Sequence, residues 1–209
     1  MTTAIVNYEA GNLGSVLRAL HAVGEEGLVA DTPDALAGAD RVILPGVGNF
    51  RDAMERLAAG GWVPRLQAFA TAGKPLLGIC VGMQALAEGS TESCEAGAAT
   101  PGLGLVAGTV QRLDALGCTL RIPQQGWNGL AMRGAAYPLL AGIPEGTDVY
   151  FSNSFALPAD APAVAAVVEY GVPITAAVAA GNVMGIQFHP EKSSRAGLRV
   201  LRNFLEFAC

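Results

Sequence analysis

The chain has 209 residues, enough for one domain over 1–209 with a sizeable buried core; 51% are hydrophobic, 15% are charged, and the formal net charge is −5. That balance offers no basic footprint for nucleic acid or for an anionic membrane surface, and no apolar run approaches the roughly 20 residues that cross a bilayer. Met1–Tyr8 has neither a basic n-region nor a cleavable apolar run, so a cytoplasmic location is expected.

The first half of the chain alternates short apolar runs with helical periodicity. Residues 3–6 read as a strand, 13–23 as a helix with Val16, Leu17 and Leu20 on one face, and 27–30 and 41–44 as further strands. Helices are predicted over 50–59 and 63–72, and a buried strand over 76–79. Strands alternating with helices argue for an open, mostly parallel sheet covered on both faces, a flavodoxin-like α/β fold. The segment 92–104 is rich in Gly and Ala and reads as a loop. Strands are then expected over 108–113, 119–122, 149–155, 164–170, 174–179 and 183–188, as antiparallel additions to the sheet, with a closing helix over 194–207.

Cys80 carries the chemistry. It lies in Gly78-Ile79-Cys80-Val81-Gly82-Met83-Gln84, a G-x-nucleophile-x-G elbow with sulfur in place of a hydroxyl. A free thiol ionises near pH 8.5, and a helix N-terminus or an imidazolium favours its reactive thiolate. The helix expected from Val81 supplies one such influence, and His189 the other. In Phe188-His189-Pro190-Glu191, an extended segment would put His189 and Glu191 on one side, so Glu191 can orient the imidazole. A lone histidine is more often a satisfied turn residue. This chain has only two, however, and His21 lies on a helical surface pattern.

Acyl transfer also needs an oxyanion hole. The Val81 amide is one donor, and the turn Leu44-Pro45-Gly46-Val47-Gly48-Asn49-Phe50 is placed to give the second. No Gly-Lys-Ser/Thr follows that turn, so it is not a phosphate loop. Residues 102–107 mimic a dinucleotide fingerprint but follow a loop and precede no helix. The four cysteines, Cys80, Cys94, Cys118 and Cys209, form no CxxC pair, so neither a disulfide framework nor a metal site is expected; Cys94 and Cys118 read as small buried apolar residues.

With Gly-Ile-Cys-Val-Gly-Met-Gln and Phe-His-Pro-Glu-Lys-Ser in hand, the chain resembles the class I, triad-type glutamine amidotransferases. Residues 8–15, 45–50, 126–128, 150–151 and 189–193 narrow the resemblance to the glutaminase subunits of imidazole glycerol phosphate synthases. The resemblance implies a cofactor-free enzyme with Cys80, His189 and Glu191 as its catalytic triad. Its substrate is glutamine, and it acts as the heterodimer partner of a (β/α)8-barrel cyclase that receives the ammonia. It also implies that Gly48 and Gln84 hold glutamine, that Val47 and Val81 lie near the oxyanion, and that Ser154 and Phe155 give backbone contacts. Asn12, Trp127 and Lys192 fall at positions facing the barrel, and the family gates the oxyanion turn through that partner. The chain departs from the common pattern at Asn7-Tyr8-Glu9, where Asp-Tyr-Gly is usual, and at Gln124 and Asn153, where histidines are common. Two other readings stay open: the same chemistry serving another pathway, or an inactive interaction module on the same fold. Pro-Gly-Val-Gly and Gly-Trp-Asn argue against a pyridoxal phosphate synthase glutaminase, and the intact triad argues against the inactive module.

Overall fold

A computed structural model describes residues 1–95, 97–133 and 137–207. Residue 96 of the expected loop and Cys209 lie outside them. In chain order the elements are β1 (Thr3–Val6), α1 (Leu13–Ala22), β2 (Leu28–Ala30), β3 (Arg41–Gly46), α2 (Phe50–Ala59), α3 (Trp62–Thr71), β4 (Leu76–Cys80) and α4 (Val81–Ala85). There follow β5 (Ala87–Ser90), β6 (Thr100–Pro101), β7 (Val106–Arg112), β8 (Gln124–Met132), β9 (Asp148–Asn153), β10 (Phe155–Ala156), β11 (Val164–Glu169), β12 (Pro173–Ala180), β13 (Val183–Ile186) and α5 (Ser194–Glu206).

The main sheet has nine strands in the order β2-β1-β3-β4-β13-β12-β11-β8-β9. From β2 to β13 neighbours run parallel; from β13 to β9 they run antiparallel. The parallel strands β1, β3, β4 and β13 are buried at every position, which is why they read as continuous apolar runs. Helices pack on this sheet through Val16 and Leu20 of α1, Phe50 and Leu57 of α2, Leu66 of α3, and Val200 and Phe204 of α5, all in one core with Ile5, Ile43 and Leu77. The Asn49 side chain starts α2 by accepting the Arg51 and Asp52 amides at 2.9 and 3.3 Å. No helix among the described residues is long and apolar enough to cross a membrane.

The second half differs from its sequence pattern in three ways. Residues 119–122 form no strand: Thr119, Leu120 and Arg121 are exposed, and pairing begins only at Gln124, after Pro123, which has no amide to donate. The expected strand 149–155 is broken at Ser154 into β9 and β10, which join different sheets. β7 and β10 are not additions to the main sheet; with β5 and β6 they make a second, four-stranded sheet in the order β10-β7-β5-β6.

Candidate active site

Three neighbouring parallel strands end at one level. The register sets Gly46 of β3 opposite Cys80 of β4, and Ile186 of β13 opposite Ile79. The oxyanion turn after β3, the elbow after β4 and the His-Pro-Glu segment after β13 therefore converge at the carboxyl edge of the sheet, where open α/β sheets bind ligands.

Cys80 has φ 55° and ψ −114°, a conformation that L-residues rarely adopt and that costs about 1–3 kcal/mol. Close backbone approach holds it there. A Cβ on Gly82 would stand 1.9 Å from the Leu44 carbonyl oxygen, and one on Gly78 would stand 2.6 Å from the Gly82 oxygen, so both flanking positions exclude side chains. The following helix, α4, is five residues long, little more than one turn. The expected help from a helix dipole is correspondingly small, and His189 is the principal partner of the thiol.

His189 Nδ1 lies 2.9 Å from Glu191 Oε1, and these side chains are only 7% and 5% exposed. The two meet across the 3-10 turn Pro190–Lys192, not along an extended strand as the spacing suggested. The backbone of His189 is fixed separately. Its amide donates to the Tyr150 carbonyl at 2.9 Å, its carbonyl accepts the Ser193 hydroxyl at 2.6 Å, and that hydroxyl oxygen accepts the Tyr150 amide at 2.9 Å. Burial disfavours the imidazolium, but hydrogen bonds to the Cys80 sulfur and to Glu191 outweigh it and push the His189 pKa up to about 9. Burial likewise opposes the Glu191 carboxylate, and the His189 hydrogen bond and charge hold it below the ordinary carboxylate range.

A dependence on pH follows. Because the folded value lies above the ordinary 6.5, this histidine contributes stability that is full below pH 6.5 and is lost as pH rises through about 9. The same proton serves the leaving group, so kcat/KM for the reaction assigned below should fall through an alkaline limb near pH 9. Glu191→Gln removes one of the groups raising the histidine and should move that limb to lower pH. A pH–rate profile of both proteins checks this; a limb left in place would show that Glu191 does not set the imidazole's proton affinity.

Cys80 and His189 open on a cleft of about 330 Å³ also lined by Val47, Gly48, Val81, Gln84, Ser154, Phe155 and Lys192, which brings the expected substrate residues together with two of the expected triad; Glu191 does not line it and reaches the site through His189. Gln84 is buried and its Nε2 donates to the Phe155 carbonyl and to Gln187 Oε1, both at 3.0 Å, which leaves its own Oε1 as the free acceptor. The Ser154 and Phe155 carbonyls are already committed, to the Leu113 amide at 3.0 Å and to Gln84 and Asn153. Val47 is also engaged: its amide donates to the Ala10 carbonyl at 3.2 Å.

The sequence reading missed Glu92 and Gln187. Gln187 stands level with Cys80, its Nε2 3.7 Å from Sγ. Its place beside the Phe-His-Pro-Glu motif was the available signal. Glu92 lines the cleft from the Gly/Ala-rich loop and had no signal. It accepts the Phe50 amide at 2.7 Å; burial raises its pKa, that hydrogen bond and one from Asn49 oppose the rise, and Asp52 adds to it.

Trp127 is half exposed and packs edge-on against Tyr150, with centroids 5.9 Å apart; Lys192 Nζ sits 5.4 Å from the same ring. Asn12 is exposed at the start of α1, whose Ser15 lies beside Pro190 and Glu191. Two of the departures from the family pattern prove to be one, since Gln124 and Asn153 are buried and face each other across β8 and β9. In the third, Glu9 takes the left-handed φ of 61° that glycine adopts freely, with its carboxylate 3.6 Å from Arg56.

Comparison with known proteins identifies the family. The family model described as glutamine amidotransferase class-I matches residues 5–207. The chain is 47% identical over 207 residues to a Symbiobacterium thermophilum protein named imidazole glycerol phosphate synthase subunit HisH, covering 98% of this chain and 93% of that one. It is 43% identical to the Rhodospirillum rubrum protein of the same name over the full length of both. A crystal structure described as a glutamine amidotransferase superposes with a TM-score of 0.73 at 22% identity over 97% of each chain, a likeness of fold. With the elbow, the buried His–Glu pair and the cleft already in place, the chain belongs to the class I glutamine amidotransferase family.

Proposed function

We propose that this chain is the glutaminase subunit of an imidazole glycerol phosphate synthase. It hydrolyses glutamine to glutamate and ammonia and passes the ammonia to a (β/α)8-barrel cyclase in histidine biosynthesis. The observation that carries the chemistry is the convergence of Cys80 and the His189–Glu191 pair at the ends of adjacent parallel strands. The pathway is argued from the names of relatives 43–47% identical over nearly the whole chain.

Among the described residues, Glu92 is the one acidic residue lining the cleft. It suits the substrate's α-ammonium, with Gln84 Oε1 as a second acceptor. Cys80 attacks the side-chain amide carbon as the thiolate, its proton already held by His189. The C=O electrons move onto oxygen, where the Val81 amide and the oxyanion turn stabilise them. When the tetrahedral centre collapses, the C–N bond breaks and the imidazolium gives its proton to departing ammonia. Neutral His189 then takes a proton from water, which attacks the thioester; glutamate leaves and the thiolate is restored beside the imidazolium.

The Val47 amide is held by Ala10, so the resting turn does not offer that donor to an oxyanion. This supports gating by the partner, approached through Asn12, Trp127 and Lys192. The isolated chain should hydrolyse glutamine slowly, and adding the barrel subunit with its bound ligand should raise the rate on the order of tenfold or more. A coupled glutamate assay measures both states. Equal rates with and without the barrel would refute the gating, and an inert complex that still cyclises with free ammonia would refute the glutaminase reading.

A further inference from the structure

Tyr8 lies beneath the oxyanion turn and plays no part in the mechanism above. It is 5% exposed, and its hydroxyl is buried without a hydrogen-bond partner. Such a group costs about 1–3 kcal/mol of desolvation, which phenylalanine would avoid. Its position is specific: a Cβ on Gly46 would meet the Tyr8 hydroxyl at 2.8 Å and the Gly82 amide nitrogen at 2.5 Å. The hydroxyl therefore touches the joint between the turn and the elbow.

The peptide linking Gly46 to Val47 explains what the hydroxyl is for. In a parallel ladder, alternate residues carry the bonds. The Val42 amide donates to the Pro75 carbonyl at 2.9 Å while Val42 stands opposite Leu76, so the bonded residues of β3 are Val42, Leu44 and Gly46. The Gly46 carbonyl accordingly faces the Val81 amide at the elbow. A planar peptide points its N–H and C=O in opposite directions, and here the N–H of Val47 points to Ala10. Both amides an oxyanion would use are thus occupied. Turning this one peptide over frees both and takes the Gly46 carbonyl off the elbow; the Tyr8 hydroxyl, packed against Gly46 and without a partner, is a donor available to it.

We infer that Tyr8 is a positioning residue for glutamine hydrolysis, its hydroxyl donating to the Gly46 carbonyl once the turn has rotated to complete the oxyanion hole. Burial and the nearby Cys80 raise the phenol's pKa against a smaller lowering by Arg56, so it stays a donor at neutral pH. The inference rests on the glutaminase reading, and its test separates the two.

Tyr8→Phe removes only the donor. Measured as glutamate release by the complex with the barrel, kcat should fall roughly two- to tenfold, the range of one hydrogen bond, with KM changed less than about twofold. Binding of the aldehyde analogue of glutamine, whose thiohemiacetal oxygen occupies the hole, should weaken by a similar factor. Alkylation of Cys80 by iodoacetamide, which needs no hole, should keep its rate, and the melting temperature should hold or rise. An unchanged kcat, or a loss matched by slower alkylation or a lower melting temperature, would overturn the assignment. If wild-type complex releases no glutamate, the glutaminase reading fails, and Tyr8 with it. If wild type turns over and Tyr8→Phe equals it, only the Tyr8 inference fails.

Discussion

Cys80→Ala is expected to abolish glutamate release from glutamine, by roughly 10⁴- to 10⁶-fold, while the cyclase partner still makes product from added ammonium salt. The size of the effect reflects the missing covalent step. Without sulfur no thioester forms, and His189, Glu191 and the oxyanion donors have no intermediate to act on. Cys80→Ser should fail almost as completely, because a hydroxyl ionises far less readily than a thiol and the imidazole was matched to sulfur. Quantifying glutamate from the purified complex, with and without ammonium, separates lost chemistry from lost assembly. Turnover by Cys80→Ala within about tenfold of wild type would mean that another group is the nucleophile.

Gly82→Ala should damage both fold and activity with a single methyl group. The new Cβ would lie 1.9 Å from the Leu44 carbonyl oxygen and 2.9 Å from its carbon, and these are backbone atoms of β3 that cannot turn aside as a side chain would. Overpacking of this kind costs about 3 kcal/mol, or roughly 6–12 °C in melting temperature for a chain of this size. The strand that must retreat also carries the oxyanion turn, so glutamine turnover should fall further than stability alone accounts for. Gly38→Ala is the matched control, since nothing lies within 4 Å of its added Cβ and its φ is not positive. If Gly82→Ala melts with the control and keeps wild-type glutamate release, the close approach of β3 to the elbow is not what shapes the site.

The fold was most legible where burial is complete. β1 and α2 coincide with their patterns to the residue, and β3 and β4 differ only by running on into the functional turn and Cys80. β8 was missed because its residues, Gln124–Met132, carry two glycines, two glutamines and an asparagine. Its pairing with β9 and β11 is a decision of tertiary structure that local β-propensity does not encode. β5 and β6 are two to four residues long and hidden for the same reason. In the site, Cys80, His189 and Glu191 were readable because short motifs hold them in fixed local geometry. Glu92, bonded to an amide 42 residues away, becomes a cleft residue only when the segment after β5 returns to the first residue of α2. Tyr8 likewise depends on contacts with β3 and α4 that no local pattern records.

The strand order carries a consequence for how the protein is made. β4 is the middle member of the trio β3-β4-β13, and β13 is the last of all the strands to be synthesised. A nascent chain that has already folded β1 to β4 holds Cys80 at an unfilled sheet edge, with no histidine beside it. Until β13 pairs with β4, the thiol lacks the imidazole that favours its reactive thiolate. It acquires its base in the same event that closes the sheet. An incompletely folded copy therefore has the nucleophile without its base, and closing the sheet assembles the pair that the partner can then switch on.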